Sequence, residues 1–204
     1  MGSGVIGTAC SHFLTELGYE VTILDRADFG SQCSSGNCGN ICPSHMAPLA
    51  EPGAVRHAVL SWLHGETAVF IKPRLDLSLL TWLYQFARHC TKRSMLDACR
   101  ANQALLNQSR YLYEELITRF DLACEWHTGG NLHVFLKQKT LATHDRKHAL
   151  LAKEFLLSGQ RLEADELAQF EPSLRSDLAG GWYYPSDAHL RPDRLLQSWR
   201  DSLN

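Results

Sequence analysis

The chain has 204 residues, with 20 Lys and Arg against 22 Asp and Glu, which gives a formal net charge of −2. Its apolar fraction of 45% is that of a globular protein and is too high for a disordered one. The near balance of charge argues against a nucleic-acid-binding protein, which normally carries a basic excess. The sequence has no apolar run long enough for a transmembrane helix, and we expect no signal peptide because the first residues lack its basic and apolar regions. We therefore expect a cytoplasmic protein whose seven cysteines remain reduced.

Hydrophobic periodicity and the positions of glycine and proline predict the elements in chain order. A helix over 5–17 should end at Gly18, and residues 21–24 are typical of a buried strand in a parallel sheet. Residues 27–53 predict a long loop, and long ordered loops usually carry function. The later elements are predicted as a β-hairpin of 122–126 with 132–136, a strand over 180–185, and helices over 54–64, 76–91, 94–119, 140–158, 163–170 and from Pro192 onward.

A G-x-G-x-x-G pattern opens the first predicted helix, and it consists of Gly2, Ser3, Gly4, Val5, Ile6 and Gly7. The first glycine permits a tight turn, the second lets the backbone approach a pyrophosphate, and the third allows close packing of helix on strand. The free amides and the positive dipole end of the helix attract phosphate groups. Asp25 ends the predicted strand, where its carboxylate can accept hydrogen bonds from ribose hydroxyls and would repel a 2′-phosphate. This spacing predicts a dinucleotide site; the alternative is a glycine-rich helix start with an incidental surface Asp.

Several blocks of the sequence resemble, in the same order, blocks of a known family. They are residues 2–26, the loop CSSGNCGNICP at 33–43, APLAEPG at 47–53, TGGNLHVF at 128–135, EPSL at 171–174, and residues 180–192. The family is that of FAD-dependent amine and amino-acid oxidoreductases, the D-amino-acid oxidase and glycine oxidase group, and within it the small subunit of bacterial D-amino-acid dehydrogenase. The loop at 33–43 is similar to that family's T-S-x-x-N-x-G-x-I-x-P pattern, with cysteine at three positions where Thr, Ala and Ser are usual.

The resemblance implies FAD as the cofactor and a D-amino acid or related amine as the substrate, oxidised by hydride transfer from Cα to the flavin. An electron-transfer chain would be the acceptor. The residues that it assigns to the cofactor are the six of the glycine pattern with Asp25 and Arg26, and, near the flavin, Ser34, Asn37 and Gly39. Substrate-side candidates are His45, Tyr183 and Tyr184. Members of the family are much longer than this chain, so the first strand and the C-terminal half would come from elsewhere, for example from a partner chain.

The predicted fold class is α/β: a Rossmann-type FAD/NAD(P)-binding unit without its first strand, joined to an α+β substrate-side domain. The predicted boundaries are 1–53 for the partial FAD-binding unit, 54–190 for the helical and β-hairpin substrate-side region, and 191–204 for a helix that returns to the FAD domain. The basic residues in the stretch 88–100 are typical of a solvated helix face: Arg88, Lys92, Arg93 and Arg100. The resemblance adds a second location, a contact with the inner face of the cell membrane, because similar dehydrogenases pass electrons to the respiratory chain.

Three alternatives stay open at this point. The chain could be a non-catalytic fragment or a half-subunit that needs a partner chain, and it could be an NAD-dependent dehydrogenase that uses the same glycine pattern. Cys33, Cys38 and Cys42, with His45 nearby, could be metal ligands, but their spacing is wider than the C-x2-C pairs of structural zinc and no second set follows. We therefore expect no metal, and we consider either packing or a reactive thiol for these cysteines.

Overall fold

The computed structural model describes residues 2–63 and 76–203, and its contacts divide them into two compact units. One unit is formed by the residues up to 44 together with those from 108 onward, and the other by residues 45–107. The predicted end of the second helix at residue 64 lies outside the described residues. The predicted domain boundaries at 53 and 190 remain predictions.

The predicted helices are all present, with ends that shift by a few residues. Gly18, with φ +85°, follows the first helix in the left-handed conformation that suits glycine. The Asp76 side chain accepts hydrogen bonds from two backbone amides at the start of the third helix, and Glu163 and Glu166 form a capping box at the sixth. The helices are α1 Val5–Glu16, α2 Ala54–Leu63, α3 Leu77–His89, α4 Lys92–Arg119, α5 Gln138–Phe155, α6 Ala164–Phe170 and α7 Pro192–Leu203.

The strands form two small antiparallel sheets in the unit that contains both ends of the chain. They are β1 Asn40–Ile41, β2 Asn131–Phe135, β3 Gln160–Leu162, β4 Gly180–Tyr184 and β5 Ala188–His189. The larger sheet has the order β2-β4-β3, so the predicted strand that begins at Gly180 is its centre. The smaller sheet pairs β1, inside the predicted long loop, with β5.

The predicted hairpin of residues 122–126 with 132–136 is wrong. Only the second half forms a strand, β2, and its partner is β4 rather than the preceding segment. Leu122 and Cys124 are instead buried against α4 and α7, and the carbonyl of Cys124 accepts a hydrogen bond from the Arg191 amide at 2.7 Å. Burial of these two apolar side chains in a helical core therefore overrides the local turn signal.

The predicted strand at 21–24 is also absent as a paired strand. Residues 19–25 have no regular secondary structure, no described strand pairs with them, and Leu24 is 72% exposed. A strand of a parallel sheet is defined by its neighbours, and the described residues provide none at this place.

Among the described residues, three apolar clusters hold the larger unit together. One lies between β4 and α5 and contains Leu141, Trp182 and Tyr184. A second lies between β4 and α6, on the other side of the sheet. The third joins the end of α4 to α7, and it consists of Leu116, Ile117, Leu122, Cys124, Leu190, Leu195 and Trp199. Helix α7 also packs on α1, which places the N-terminal glycine pattern beside this third cluster.

The unit of residues 45–107 contains α2, α3 and the first part of α4. None of the residues of α3 is buried, and Leu77, Trp82 and Tyr84 are more than half exposed. Within α3 the Trp82 ring stacks on Phe86 with a centroid distance of 5.4 Å. Within the described residues, the N-cap at Asp76 and this ring contact both support the helix.

Candidate cofactor site

The glycine pattern and Asp25 lie in direct contact. The backbone N–H of Ser3 donates to Asp25 Oδ2 at 2.6 Å, and the Ser3 hydroxyl donates to the same oxygen at 2.8 Å. A Cβ on Gly2 would lie 3.1 Å from that oxygen, so the carboxylate rests against the turn of the glycine pattern. The Ser3 hydroxyl also accepts a hydrogen bond from the Gly30 amide at 3.0 Å, and Ser3 is only 1% exposed. One small buried hydroxyl therefore joins the glycine turn, Asp25 and the start of the long loop.

These hydrogen bonds stabilise the charged form of Asp25. The Ser3 backbone N–H is the main cause, and together with the Ser3 hydroxyl and the Ala27 amide it lowers the pKa of Asp25 from 3.8 to about 2. The carboxylate is exposed to solvent; its Oδ2 already accepts both Ser3 donors, whereas its Oδ1 accepts the Ala27 amide at 3.2 Å and keeps a lone pair. Through Oδ1 it can therefore accept a hydroxyl donor from a ligand while it keeps its contacts with the protein.

The beginning of α1 has the features of an anion site. Its first turn contains no acidic residue, and its N-cap, Gly4, offers no side chain to the helix. The Val5 amide donates to Ser34 Oγ at 3.1 Å, whereas the amides of Gly4, Ile6 and Gly7 have no acceptor within residues 2–63 and 76–203. Free amides and the helix dipole at one end favour a phosphate oxygen as the acceptor. These residues fit the pyrophosphate of a dinucleotide, and Ser34 brings the long loop next to it.

The three loop residues assigned to the flavin form one hydrogen-bonded chain. Asn37 Nδ2 donates to the Ser34 carbonyl at 2.6 Å, and Asn37 Oδ1 accepts the Gly39 amide at 2.6 Å. Gly39 has φ +67°, and a Cβ there would lie 2.0 Å from the Leu190 carbonyl oxygen, so no larger residue fits. The position of glycine in this loop is thus fixed by a close backbone approach that the sequence alone does not show.

A cavity of about 140 Å³ opens between this loop and the two helices α1 and α7. Its lining includes all three of these loop residues and Val5, together with Tyr113 from α4. Sequence reasoning did not identify Tyr113, because its helical spacing is that of an ordinary core residue. Arg26, also assigned to the cofactor, is exposed beside Asp25. The cofactor roles of all these residues remain predictions.

The two tyrosines of β4 point to opposite sides of the sheet, as alternation along a strand requires. The Tyr183 hydroxyl donates to the Gly129 carbonyl at 3.1 Å, and its ring packs on the α6 side. Tyr184 is 3% exposed, and its hydroxyl lies 2.7 Å from His144 Nε2 and 3.3 Å from His148 Nδ1. Burial raises the pKa of Tyr184 to about 12. A substrate role for these tyrosines, and for the exposed His45 in the other unit, stays a prediction.

The cysteines of the loop differ in their surroundings. Cys33 and Cys38 are exposed, whereas Cys42 is partly buried and its sulfur accepts a hydrogen bond from Asn131 Nδ2 at 3.0 Å. Burial, with the charge of Asp187 as a second cause, raises the pKa of the Cys42 thiol to about 11. Cys42 is therefore a neutral thiol at pH 7 and a poor nucleophile. In the described part of the chain, no three His, Cys, Asp or Glu side chains are arranged to hold a metal ion.

A glycine turn with free helix amides, next to an acidic side chain, is the arrangement found in dinucleotide-binding flavoproteins and dehydrogenases. Over residues 1–204 the chain matches the family of FAD dependent oxidoreductases, and it belongs to that family. The resemblance and the cofactor type predicted from the sequence are thereby confirmed, since the family is FAD dependent.

Named relatives agree with this assignment. The D-amino acid dehydrogenase of Vibrio vulnificus (strain CMCP6) is 36% identical over 196 residues, which cover 92% of this chain and 46% of that protein. The D-amino acid dehydrogenase of Neisseria meningitidis (serogroup A, strain Z2491) is 28% identical over 193 residues, again 92% of this chain and 46% of the relative. The chain thus spans about half the length of the curated relatives that it matches.

Solved structures show the same fold. Glycine oxidase from Geobacillus kaustophilus superposes with a TM-score of 0.65 at 19% identity, over 99% of this chain and 42% of that one. L-amino acid deaminase from Proteus vulgaris gives a TM-score of 0.62 at 14% identity, over 99% of this chain and 36% of that one. The predicted fold class, a partial FAD-binding unit with an α+β region, is confirmed by these neighbours. As for the membrane, no helix within the described residues combines the length and apolar character needed to cross a bilayer.

Proposed function

We propose that this chain provides the glycine-loop part of the FAD site in an enzyme that oxidises the C–N bond of D-amino acids or related amines. The observation that carries the proposal is the 36% identity to a D-amino acid dehydrogenase over 92% of the chain. The contact between Ser3 and Asp25 and the free amides at the start of α1 support it from the geometry.

Each group of residues has a distinct task in this proposal. The amides of Gly4, Ile6 and Gly7 bind the pyrophosphate, and Asp25, kept ionised by Ser3, accepts hydrogen bonds from the ribose hydroxyls. Ser34 links the two ends of the site, since its hydroxyl accepts a hydrogen bond from the Val5 amide and its carbonyl accepts one from Asn37 Nδ2. Bound FAD would supply the redox chemistry by accepting a hydride from the substrate Cα, which leaves an imine for hydrolysis to a 2-oxo acid and ammonia.

The proposal needs no general base in this chain if the amine arrives neutral. The chain's own residues bind and orient the cofactor. The substrate candidates Tyr183, Tyr184 and His45, the electron-transfer acceptor and a partner chain remain parts of the proposal that rest on the resemblance. A contact with the inner membrane surface belongs with them.

The test is a chimaera in which this chain replaces the matching 46% of the Vibrio vulnificus relative. We expect bound FAD, seen by its visible absorption, and reduction of an artificial electron acceptor by D-amino acids in preference to L-amino acids. Gly4→Val should abolish FAD binding, because a Cβ at Gly4 already lies 3.0 Å from Ser34 Oγ. Gly36→Val is the matched control, since no atom lies within 4 Å of a Cβ at Gly36.

Different results separate the alternatives. A chimaera that binds FAD but ignores D-amino acids would reject the substrate class and keep the cofactor. A colourless chimaera that FAD does not restore would favour the non-catalytic fragment. Titration of the chain alone with FAD and with NAD tests the two remaining alternatives. FAD binding that requires addition of the relative's other half favours the half-subunit. NAD binding favours the NAD-dependent dehydrogenase.

A further inference from the structure

Asp187 is a fully buried carboxylate, with 0% of its surface exposed, and the cofactor roles above do not use it. Its Oδ1 accepts the Ser44 backbone N–H at 3.0 Å and its Oδ2 accepts the Ser44 hydroxyl at 2.6 Å. The two residues are 143 positions apart in the sequence. A carboxylate removed from water is costly unless its oxygens are hydrogen-bonded, so these bonds are essential to its burial. We call this pair of hydrogen bonds the Ser44–Asp187 anchor.

The anchor adjoins β4, the central strand of the larger sheet. The Asp187 amide donates to the Tyr184 carbonyl at 3.3 Å, which closes a turn directly after β4. Pro185 occupies the second position of this turn, where its fixed φ favours turn formation. Strand β4 is hydrogen-bonded on both sides, by β2 and by β3. Asp187 therefore holds Ser44 at a fixed place relative to the central strand.

The residues just before Ser44 are held to the same segment. Strand β1 pairs with β5 through Asn40 with His189 and Ile41 with Ala188. The Leu190 amide donates to the Gly39 carbonyl at 3.0 Å. Residues 39–44 of the long loop are thus fixed against residues 187–190.

An earlier part of the loop is fixed at α1, where Ser34 Oγ accepts a hydrogen bond from the Val5 amide. Asn37 and Gly39 lie between the two attachments and beside the cavity. The attachment at Ser34 adjoins the phosphate end of the proposed site. The Ser44–Asp187 anchor and the β1–β5 pairing together form the attachment on the far side of Asn37 and Gly39, so loss of the anchor should disturb these residues more than the glycine turn.

We propose that Asp187 is a positioning residue for the flavin end of the cofactor site: by fixing Ser44, it sets the position at which Asn37 and Gly39 meet the flavin. This inference rests on the proposed function. Asp187 is fully buried and contacts Ser44 and, through its charge, the neighbouring Cys42 thiol of the same loop, so its removal should change the environment of the flavin without removing the phosphate site.

The experiment uses the chimaera described above with four variants: Asp187→Ala, Asp187→Asn, Ser44→Ala and the double variant of Asp187→Ala with Ser44→Ala. Asp177→Asn is the control, because Asp177 is an exposed acid that pairs with Arg175 at the surface. For each protein we would measure the dissociation constant for FAD, the visible spectrum and midpoint potential of the flavin, and hydrogen exchange of residues 37–44.

We expect Asp187→Ala to weaken FAD binding about tenfold, as for the loss of a buried charged hydrogen-bond acceptor. It should also shift the flavin spectrum and potential and speed exchange in residues 37–44. Ser44→Ala should act in the same direction but less, and the double variant should be no worse than Asp187→Ala, because both changes remove one interaction. Asp187→Asn keeps an oxygen acceptor and should recover part of the loss. The control should match the parent.

Normal flavin spectrum and potential in Asp187→Ala, despite faster exchange in the loop, would overturn the inference and leave the proposed function intact. A Ser44→Ala protein with the parent's flavin spectrum and midpoint potential would overturn the inference too, since Asp187 would then act by another route. If Asp187→Ala does not fold, the flavin spectrum and midpoint potential of Asp187→Asn and Ser44→Ala decide instead. A parent chimaera that binds no FAD is a separate result, which rejects the proposed function and this inference together.

Discussion

The N-terminal segment up to Gly30 and the three-stranded sheet are ordered by different forces. In the sheet region, Leu141, Trp182 and Tyr184 are buried against one another, and apolar packing dominates. In the N-terminal segment, α1 packs on α7, but Ile6 and Leu24 are each 72% exposed, and polar contacts centred on Ser3 hold the glycine turn, Asp25 and Gly30 together. The first region is stabilised mainly by removal of apolar surface from water, and the second by hydrogen bonds that also stabilise a negative charge.

This difference suggests that substitutions in the two regions will have different effects. Changes in the sheet region should lower the free energy of unfolding, since its side chains lie in a close-packed interior. Changes around Ser3 and Asp25 should alter local titration and ligand binding with little effect on global stability. Acid should affect the two regions over different ranges of pH.

The largest effect is expected for Leu141→Ala. Leu141 is 0% exposed and packs between α5 and β4, so its truncation should leave a cavity and cost about 2–5 kcal/mol of the free energy of unfolding. Urea denaturation followed by circular dichroism measures this. Leu136→Ala, at a leucine that is 59% exposed just after β2, should change it by less than about 0.5 kcal/mol. Equal effects of the two variants would contradict the packed core described here.

Gly39→Ala should come next. The left-handed conformation costs a residue with a side chain about 1–2 kcal/mol, and the new Cβ would also collide with the Leu190 carbonyl. We expect the free energy of unfolding to fall by at least about 2 kcal/mol. The pairing of β1 with β5 should also weaken, which faster hydrogen exchange at Leu190 would show. The control is Gly36→Ala in the same loop, where the added Cβ meets no atom within 4 Å. Unchanged exchange at Leu190 in Gly39→Ala would show that the close approach does not exist.

Mild acid should destabilise the sheet region through His144. Burial, followed by the charges of His133 and His148, lowers the pKa of His144 from 6.5 to about 4. The unfolded chain binds this proton more readily than the folded one, so stability is complete above pH 6.5 and falls as the pH drops toward 4. The loss should be on the order of 2 kcal/mol, measured by urea denaturation at several pH values. His144→Gln should flatten this dependence; an equally steep curve in that variant would reject the assignment.

The N-terminal segment should respond only to stronger acid, and with the smallest effect. The folded pKa of Asp25 is lowered from 3.8 to about 2, so its stabilising contacts are present above pH 3.8 and are lost as the pH falls through 2. Ser3→Ala removes one of the two Ser3 donors and should raise this pKa toward 3.8, measured by NMR titration of the carboxyl carbon. Ser31→Ala, whose exposed hydroxyl donates to the Asp28 carbonyl instead, is the control. An Asp25 pKa that stays near 2 in Ser3→Ala would assign the whole shift to backbone amides.

The sequence predicted the elements whose signals are local. Helices α1 and α7 were found from periodicity with Gly18 and Pro192 as end signals, and the family was found from ordered motifs. The sequence also brought Gly2 and Asp25 together in one predicted site, through the known spacing of such patterns. A helix end or a glycine turn depends on residues a few positions away, so these features can be read from the chain itself.

Only the tertiary structure decided which distant segments meet. The partner of β2 proved to be β4 and not residues 122–126, because Leu122 and Cys124 are buried against α7. The role of Asp187 is visible only in the structure, since Ser44, the donor to its carboxylate, lies 143 positions away. Strand pairing and burial of charge depend on contacts between segments remote in sequence, and no local pattern specifies those contacts.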